Sequence, residues 1–328
     1  MIFDTSLTFR FQLLGSHGMF YVATLISNPD RPAVTDGLAR QAARYLPHGR
    51  AVGWLEPGIA IDIPFLLEDV DDAPGAEQGL LKDLAADLRD IIGGEPVDVV
   101  VQKDGDGRRK KLFVADMDST MIGQECIDEL ADYAGVKDRV AAITERAMRG
   151  EVAFAPALRE RVALLKGLPA AAIDQVIAER IRLTPGGPTL VATMRNNGGY
   201  TCLVSGGFTA FTSRLAATIG FDEQHANTLV IDAGGHLTGA VAEPVLGREA
   251  KLDTMKALRA RLRLKREDTL AVGDGANDIP MIEAAGLGLA FHGKPALKEA
   301  AAARIDHGDL TALLYAQGYR REEFVGRE

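Results

Sequence analysis

The sequence predicts an α/β protein, a doubly wound parallel sheet carrying an inserted helical cap, preceded by a smaller α+β domain. Three observations predict it. Short apolar runs at 111–115 (KLFVA), 201–204 (TCLV) and 269–272 (TLAV) each end in polar residues suited to chemistry. Strands that deliver functional groups at one end are the mark of the doubly wound plan. About eighty residues of mostly helical period separate the first two runs, too many for a simple crossover, so part of them forms a cap. Before residue 105 the pattern is strand, helix, strand, strand, helix, strand, which is an α+β order.

Taken in order, residues 20–26 (FYVATLI) read as a strand, and Asn28-Pro29-Asp30-Arg31-Pro32 as a turn leading into a helix. Residues 34–46 carry apolar positions at helical spacing, 59–65 alternate as a strand, 80–92 form a second amphipathic helix and 97–102 a second apolar run. The stretch before Met19 carries Asp4 and Arg10, lacks a signal-peptide core and fits no element, which leaves Met1 or Met19 as the start. Residues 103–110 (KDGDGRRK) read as a polar linker, dividing the chain into 1–105 and 106–328. The cap falls at about 124–190, and 287–291 (LGLAF) supplies a fourth strand of the large domain.

Composition excludes several classes. The 328 residues are 47% hydrophobic and 25% charged, as in a soluble globular chain of one large or two ordinary domains. The 37 Lys and Arg against 46 Asp and Glu leave a net charge of −9, contrary to the basic face of a nucleic-acid binder. Two cysteines and six scattered histidines offer no disulfide framework, zinc cluster or HxxxH pair. No apolar run reaches the length of a membrane span. The chain reads as cytoplasmic, without nucleic-acid or membrane partners.

The chemistry lies at the strand ends. Asp116 and Asp118 leave the first strand together, and two acids there repel unless a cation or a proton intervenes. They read as a metal site, a nucleophile with an acid partner, or both. Asp116 is the candidate nucleophile toward phosphorus and Asp118 the acid–base group. Ser205 offers a hydroxyl after the second strand, while Gly206 and Gly207 let backbone N–H groups approach an anion. A helix starting near Phe208 adds its N-terminal field. Lys251, on a helix over about 249–262, is a point charge for phosphate that also balances the aspartates. Asp274 and Asp278 open a helix after the third strand; one ligates a metal and the other orients Lys251 or a metal-bound water. Hard oxygen ligands with an incoming phosphate imply Mg²⁺. Singly, each element is an ordinary turn, cap or surface lysine. Their joint order after successive strands carries the reading.

These four motifs, DMDST (116–120), SGG (205–207), Lys251 and GDGAND (273–278), resemble those of the haloacid dehalogenase superfamily. The aspartate two residues after the nucleophile is its phosphatase form. Glu125, the run FAPALRERVALLKGL (154–168) with Phe154 and Arg161, VSGGF (204–208) and AVGDGANDIPMIEAAGLGLAF (271–291) are similar to the phosphoserine phosphatase family over about 111–315. The resemblance implies hydrolysis of O-phospho-L-serine through an aspartyl-phosphate, the last step of L-serine biosynthesis. Mg²⁺ would be held by the carboxylates of Asp116 and Asp274 and the backbone carbonyl of Asp118. Asn277 would contact phosphate, and Asp278 would stand behind the ligands. Phe154 and Arg161 are seven residues apart and share a helix face. Arg161 would pair with the substrate carboxylate, Glu125 would accept its ammonium and Phe154 would cover it. The N-terminal element order resembles an amino-acid-binding ACT domain, regulatory or dimerising, with Ala33 where such domains often carry glycine. A homodimer is one expectation from it. Transfer of the phosphoryl group to an alcohol such as homoserine, and an amino-acid sensor using the N-terminal domain, are the other functions weighed.

Overall fold

The computed structural model describes residues 18–68, 70, 71, 73, 75–149 and 151–326. The stretch before Met19 therefore lies almost wholly outside the described residues. β1 (Met19–Ser27) begins exposed and is then buried at every position, so both of its faces are covered. It is followed by α1 (Asp36–Tyr45), β2 (Gly53–Glu56), β3 (Ala60–Leu67), α2 (Ala76–Ile92) and β4 (Val97–Lys103). The strands form an antiparallel sheet in the order β2-β3-β1-β4, an α+β domain as expected. The Thr35 side chain accepts the Leu38 N–H at 3.2 Å, and this N-cap starts α1 at Asp36 rather than Val34.

One face of this sheet packs under α1 and α2 through Tyr21, Ala39, Ile63, Leu88 and Val99. The other face is not free. Ile26, Ile59, Ala60 and Val100 join the apolar core of the large domain beside Leu313 and Tyr315. The segment read as a linker is partly buried too. Arg108 donates to Asp62 Oδ2 and Oδ1 at 2.6 and 2.7 Å, to Thr24 Oγ1 at 2.9 Å and to the Ala316 carbonyl at 3.0 Å. Lys110 donates to the carbonyls of Gly107 and Glu267.

In the large domain β5 (Leu112–Ala115) leads to α3 (Cys126–Tyr133), α4 (Lys137–Met148), α5 (Phe154–Ala163) and α6 (Ala171–Arg180). α7 (Gly187–Asn196) then packs on β6 (Tyr200–Phe208) as the crossover, so the inserted helices are α3–α6, of which α3 also touches β6. α8 (Thr209–Ile219), β7 (Glu223–Asn227), the hairpin β8 (Leu229–Ile231) and β9 (Leu237–Val241), and α9 (Arg248–Arg261) follow. β10 (Thr269–Gly273), α10 (Ile279–Ala284), β11 (Leu287–Phe291), α11 (Pro295–Ala300), β12 (Ala303–Ile305) and α12 (Ala312–Ala316) complete it.

The sheet order is β12-β11-β10-β5-β6-β7 with every pairing parallel. From β5 the chain builds outward through β6 and β7, then returns to β10 on the other side. The order therefore reverses between β5 and β10, and the crevice at such a reversal, beyond the carboxyl ends, is where ligands bind in this architecture. The β8–β9 hairpin clasps the cap. Gly167 N–H donates to Leu237 O and Leu237 N–H to Leu168 O, each at 2.8 Å. Among the described residues no helix is long and apolar enough to cross a membrane.

Candidate active site

The reversal point puts the ends of β5 and β10 side by side, with Asp116 N–H donating to Val272 O at 3.0 Å. Asp116 and Asp274, far apart in sequence, thereby meet. Asp278 joins them because Gly273 allows it. A Cβ at Gly273 would lie 2.3 Å from the Asp278 carboxyl carbon, so only glycine leaves room for that side chain. Asp116, Asp274 and Asp278 are all buried and each offers an oxygen within 4.8 Å of the others. Lys251 reaches in from α9. Its Nζ lies 2.6 Å from both Asp116 Oδ1 and Asp278 Oδ1, and its side chain is 2% exposed. A lysine that is a surface residue by type alone is thus enclosed by acids. Asp278 Oδ2 also accepts the Gly275 N–H at 3.1 Å.

Three buried carboxylates meet the enclosed Lys251 ammonium and, at Asp274, the half-exposed Lys294, which still leaves an excess of negative charge. Burial, then the neighbouring Asp278, push the Asp116 carboxyl well above the usual carboxylate range, and Lys251 only partly offsets this. Burial works against the Lys251 charge, but Asp116 and Asp278 hold it protonated. Unpaired buried charge is costly. A hard cation beside Asp116 and Asp274 would relieve it, so the donor set fits a divalent metal with oxygen ligands.

Beyond Asp116 the chain makes a wide irregular turn over Met117–Met121, with Ser119 in the left-handed region at φ 54°. Asp118 is held there, its Oδ1 3.4 Å from the Cys126 N–H. Burial first, and Glu125 second, raise its carboxyl to about 7. Glu125 accepts the Ser119 hydroxyl at 2.8 Å, and burial lifts its carboxyl as well.

Ser205, Gly206 and Gly207 do not follow a strand that ends at Val204, as the sequence reading had it. They are the end of β6 itself, where pairing to β7 shifts register between Val204 and Phe208. A bulged strand end re-aims backbone groups as a turn would. The Ser205 hydroxyl accepts the Gly207 N–H at 2.8 Å, and α8 starts directly after. Asn227, which the sequence did not single out, ties the segment down. Its Nδ2 donates to Gly206 O at 2.9 Å and Leu246 O at 3.1 Å, and its Oδ1 accepts the Leu246 N–H at 2.7 Å.

From the cap, Phe154 and Arg161 of α5 face the same space. The Phe154 ring is 3.2 Å from where a Gly206 Cβ would stand. Arg161 donates to Ala157 O and Thr144 Oγ1, each at 3.3 Å. Among the described residues it makes no ion pair. Burial lowers its pKa, opposed by Asp128, Glu125 and Asp118.

A cavity of about 160 Å³ collects these groups, lined by Asp116, Asp118, Glu125, Phe154, Arg161, Ser205, Gly206, Gly207, Asp274 and Asn277. Of the predicted set only Lys251 and Asp278 stand outside the lining, behind Asp116. Lys294 also lines the cavity and went unnoticed, although it follows the fourth strand by three residues and so obeys the strand-end rule that found the others. A larger open groove of about 700 Å³, with Lys111, Arg195 and Tyr200, lies at the opposite end of the sheet, away from every one of these carboxylates.

Residues 113–283, just over half of the chain, match the haloacid dehalogenase-like hydrolase family. The chain is 44% identical over 246 residues to the phosphoserine phosphatase SerB2 of Mycobacterium tuberculosis, covering 75% of this chain and 60% of that protein. It thus spans less than two thirds of that relative's length. Among solved structures, a phospho-aspartyl intermediate analogue of phosphoserine phosphatase is 41% identical with a TM-score of 0.58, over 63% of this chain and 98% of that one. A probable phosphoserine phosphatase from Vibrio cholerae, in unliganded form, is 32% identical with a TM-score of 0.68, over 93% and 88% of the two chains. The family match begins in β5 and runs past Asp278, so likeness and converging carboxylates rest on the same residues: the chain belongs to the haloacid dehalogenase-like hydrolase family.

Proposed function

We propose that the chain is a phosphoserine phosphatase, hydrolysing O-phospho-L-serine to L-serine and phosphate. The observation that supports it most is one small cavity lined by the Asp116–Asp118 pair, by Glu125 and by Arg161, which makes no ion pair among the described residues. A zwitterionic amino acid needs one cation and one anion set apart. Arg161 pairs with the substrate carboxylate, Glu125 accepts its ammonium and Phe154 helps exclude water. Ser205, the Gly206 and Gly207 amides and Asn277, which line the cavity, take the phosphate, while Lys251 stays behind Asp116 and acts through it. The relatives favour this over transfer to an alcohol such as homoserine.

Asp116 attacks phosphorus in line. A bond forms from its carboxylate oxygen as the ester P–O bond breaks, and Asp118 gives its proton to the departing serine oxygen. In the second half Asp118, now ionised, takes a proton from water as that water attacks phosphorus, and Asp116 is released. A carboxyl held near 7 suits a group that must serve as acid and then as base. Lys251 balances Asp116, and Asp278 holds Lys251 in place. Asp116, Asp274 and the Asp118 backbone carbonyl would hold Mg²⁺, which when bound would supply positive charge beside the anionic nucleophile and the anionic phosphate. Positioning and charge stabilisation do most of the work.

The test is phosphate release from L-phosphoserine, phosphothreonine and a simple phosphate ester, with Mg²⁺ and with a chelator. Mg²⁺-dependent preference for phosphoserine is expected. Equal rates on all three would remove the amino-acid clamp, and no release would remove the phosphatase reading.

A further inference from the structure

We propose that Lys294 is a positioning residue that pairs with Asp274 in the cation-free enzyme and gives way when a divalent cation binds, so that it sets the enzyme's affinity for that cation. The inference rests on the reading of Asp274 as a cation ligand.

The two lysines at this site are held in different ways. Lys251 is enclosed and bound at 2.6 Å by two acids, so it has nowhere else to go. Lys294 Nζ lies 3.2 Å from Asp274 Oδ2, with its side chain 56% exposed against 10% for the aspartate. The lysine can withdraw into water at little cost, while the aspartate cannot. The backbone keeps the pair in reach, since the Lys294 N–H donates to the carbonyl of Asp274 itself at 2.8 Å. Lys294 also caps α11, which fixes where its stem begins.

The position between two acids adds a second constraint. Lys294, Asp274 and Glu125 line the same cavity. The ammonium therefore offsets the charge of both carboxylates when no cation is bound. A divalent cation at Asp274 takes over that role and repels the ammonium, because like charges a few ångströms apart in a partly desolvated cavity disfavour each other. Competition of this kind stabilises the cation-free protein and weakens the apparent affinity for the cation. A half-exposed ion pair is worth up to about 1 kcal/mol, which converts to about a two- to fivefold change in affinity.

The experiment titrates Mg²⁺ calorimetrically into the full chain without substrate, for wild type, K294Q and K294R, with thermal unfolding of each in chelator. K294Q is expected to bind Mg²⁺ about two- to fivefold more tightly, and to unfold at lower temperature only when cation-free. K294R, which keeps the charge, should stay near wild type. Equal or weaker Mg²⁺ binding by K294Q, or K294R behaving like K294Q, would overturn the role of Lys294 while leaving the cation site intact. No Mg²⁺ binding by folded wild type would overturn both.

Discussion

A buried aspartate usually makes its own neutralisation cheaper, and Asp116 shows the tendency strongly. Burial and Asp278 raise its carboxyl, and only Lys251 opposes them. On the proposed reading, its use as an anion depends on that lysine and on an added cation. Asp116→Asn keeps the shape and removes the proposed nucleophile. It should cut turnover by about four orders of magnitude or more, with an unchanged circular dichroism spectrum; a folded Asp116→Asn enzyme that still turns over would refute the assignment. Arg161 works on a different term. Removing one member of a desolvated charge pair costs about 2–5 kcal/mol, so Arg161→Ala should lower kcat/KM for phosphoserine by about a hundredfold. On a phosphate ester lacking a carboxylate it should change little, and equal losses on the two substrates would dismiss the clamp. Asp116 was visible in the sequence through its place at a strand end, and Arg161 through the resemblance of residues 154–168 to the phosphoserine phosphatase family. Asn227 was not, because a lone asparagine in a polar stretch carries no signal until its partners at Gly206 and Leu246 are brought near.

Among elements, those the sequence revealed are the buried ones. β5, β10 and β11 are buried at every position and read as apolar runs. β7 (Glu223–Asn227) reads EQHAN, with no apolar pattern, because it is an edge strand that packs on one side only. Side-chain bonds take the place of burial there. Glu223 accepts the Tyr200 hydroxyl at 2.8 Å and Arg261 at 2.5 Å, and its Oε1 lies 2.6 Å from His225 Nε2. Burial pushes the Glu223 carboxyl up, but these three partners outweigh it and bring it down to about 2. A depressed folded pKa stabilises above the unfolded value of 4.5, and the contribution is lost as pH falls through about 2. Glu223→Gln should therefore be less stable than wild type at neutral pH, with the gap narrowing from about pH 4.5 downward. Urea midpoints across that range would show it, and a gap that stays constant would mean the network is not ionic.

At the scale of the whole molecule, the N-terminal domain is continuous with the large one. Asp98 of β4 accepts the N–H groups of Asp306 at 2.7 Å and Gly308 at 2.7 Å, and Gln102 donates to Ala316 O at 2.6 Å. Tyr315 donates to Glu56 across the same boundary. The Arg108–Asp62 pair lies within it, the two side chains 9% and 14% exposed. Removing Asp62 would strand a guanidinium in a largely dry interface, a change that costs about 3 kcal/mol. Asp62→Ala should lose about that much in urea denaturation, whereas a loss below about 1 kcal/mol would show that water reaches Arg108.

By itself the sequence determined the α/β plan, the N-terminal α+β order and the identity of the groups that crowd one cavity. Apolar period and the residues that follow each strand are local properties, and they survive being read one segment at a time. Three things were decided only by the tertiary structure. Strand order, reversing between β5 and β10, decided which strand ends meet. Burial decided that Lys251 is enclosed while Lys294 stays half in water, though both are lysines beside an aspartate. Packing decided that residues 103–110, polar enough to be a linker, are partly an interface, because Arg108 and Lys110 find acceptors that lie far from them in sequence. Each depends on distances between residues remote along the chain, and pattern within a segment carries no record of those.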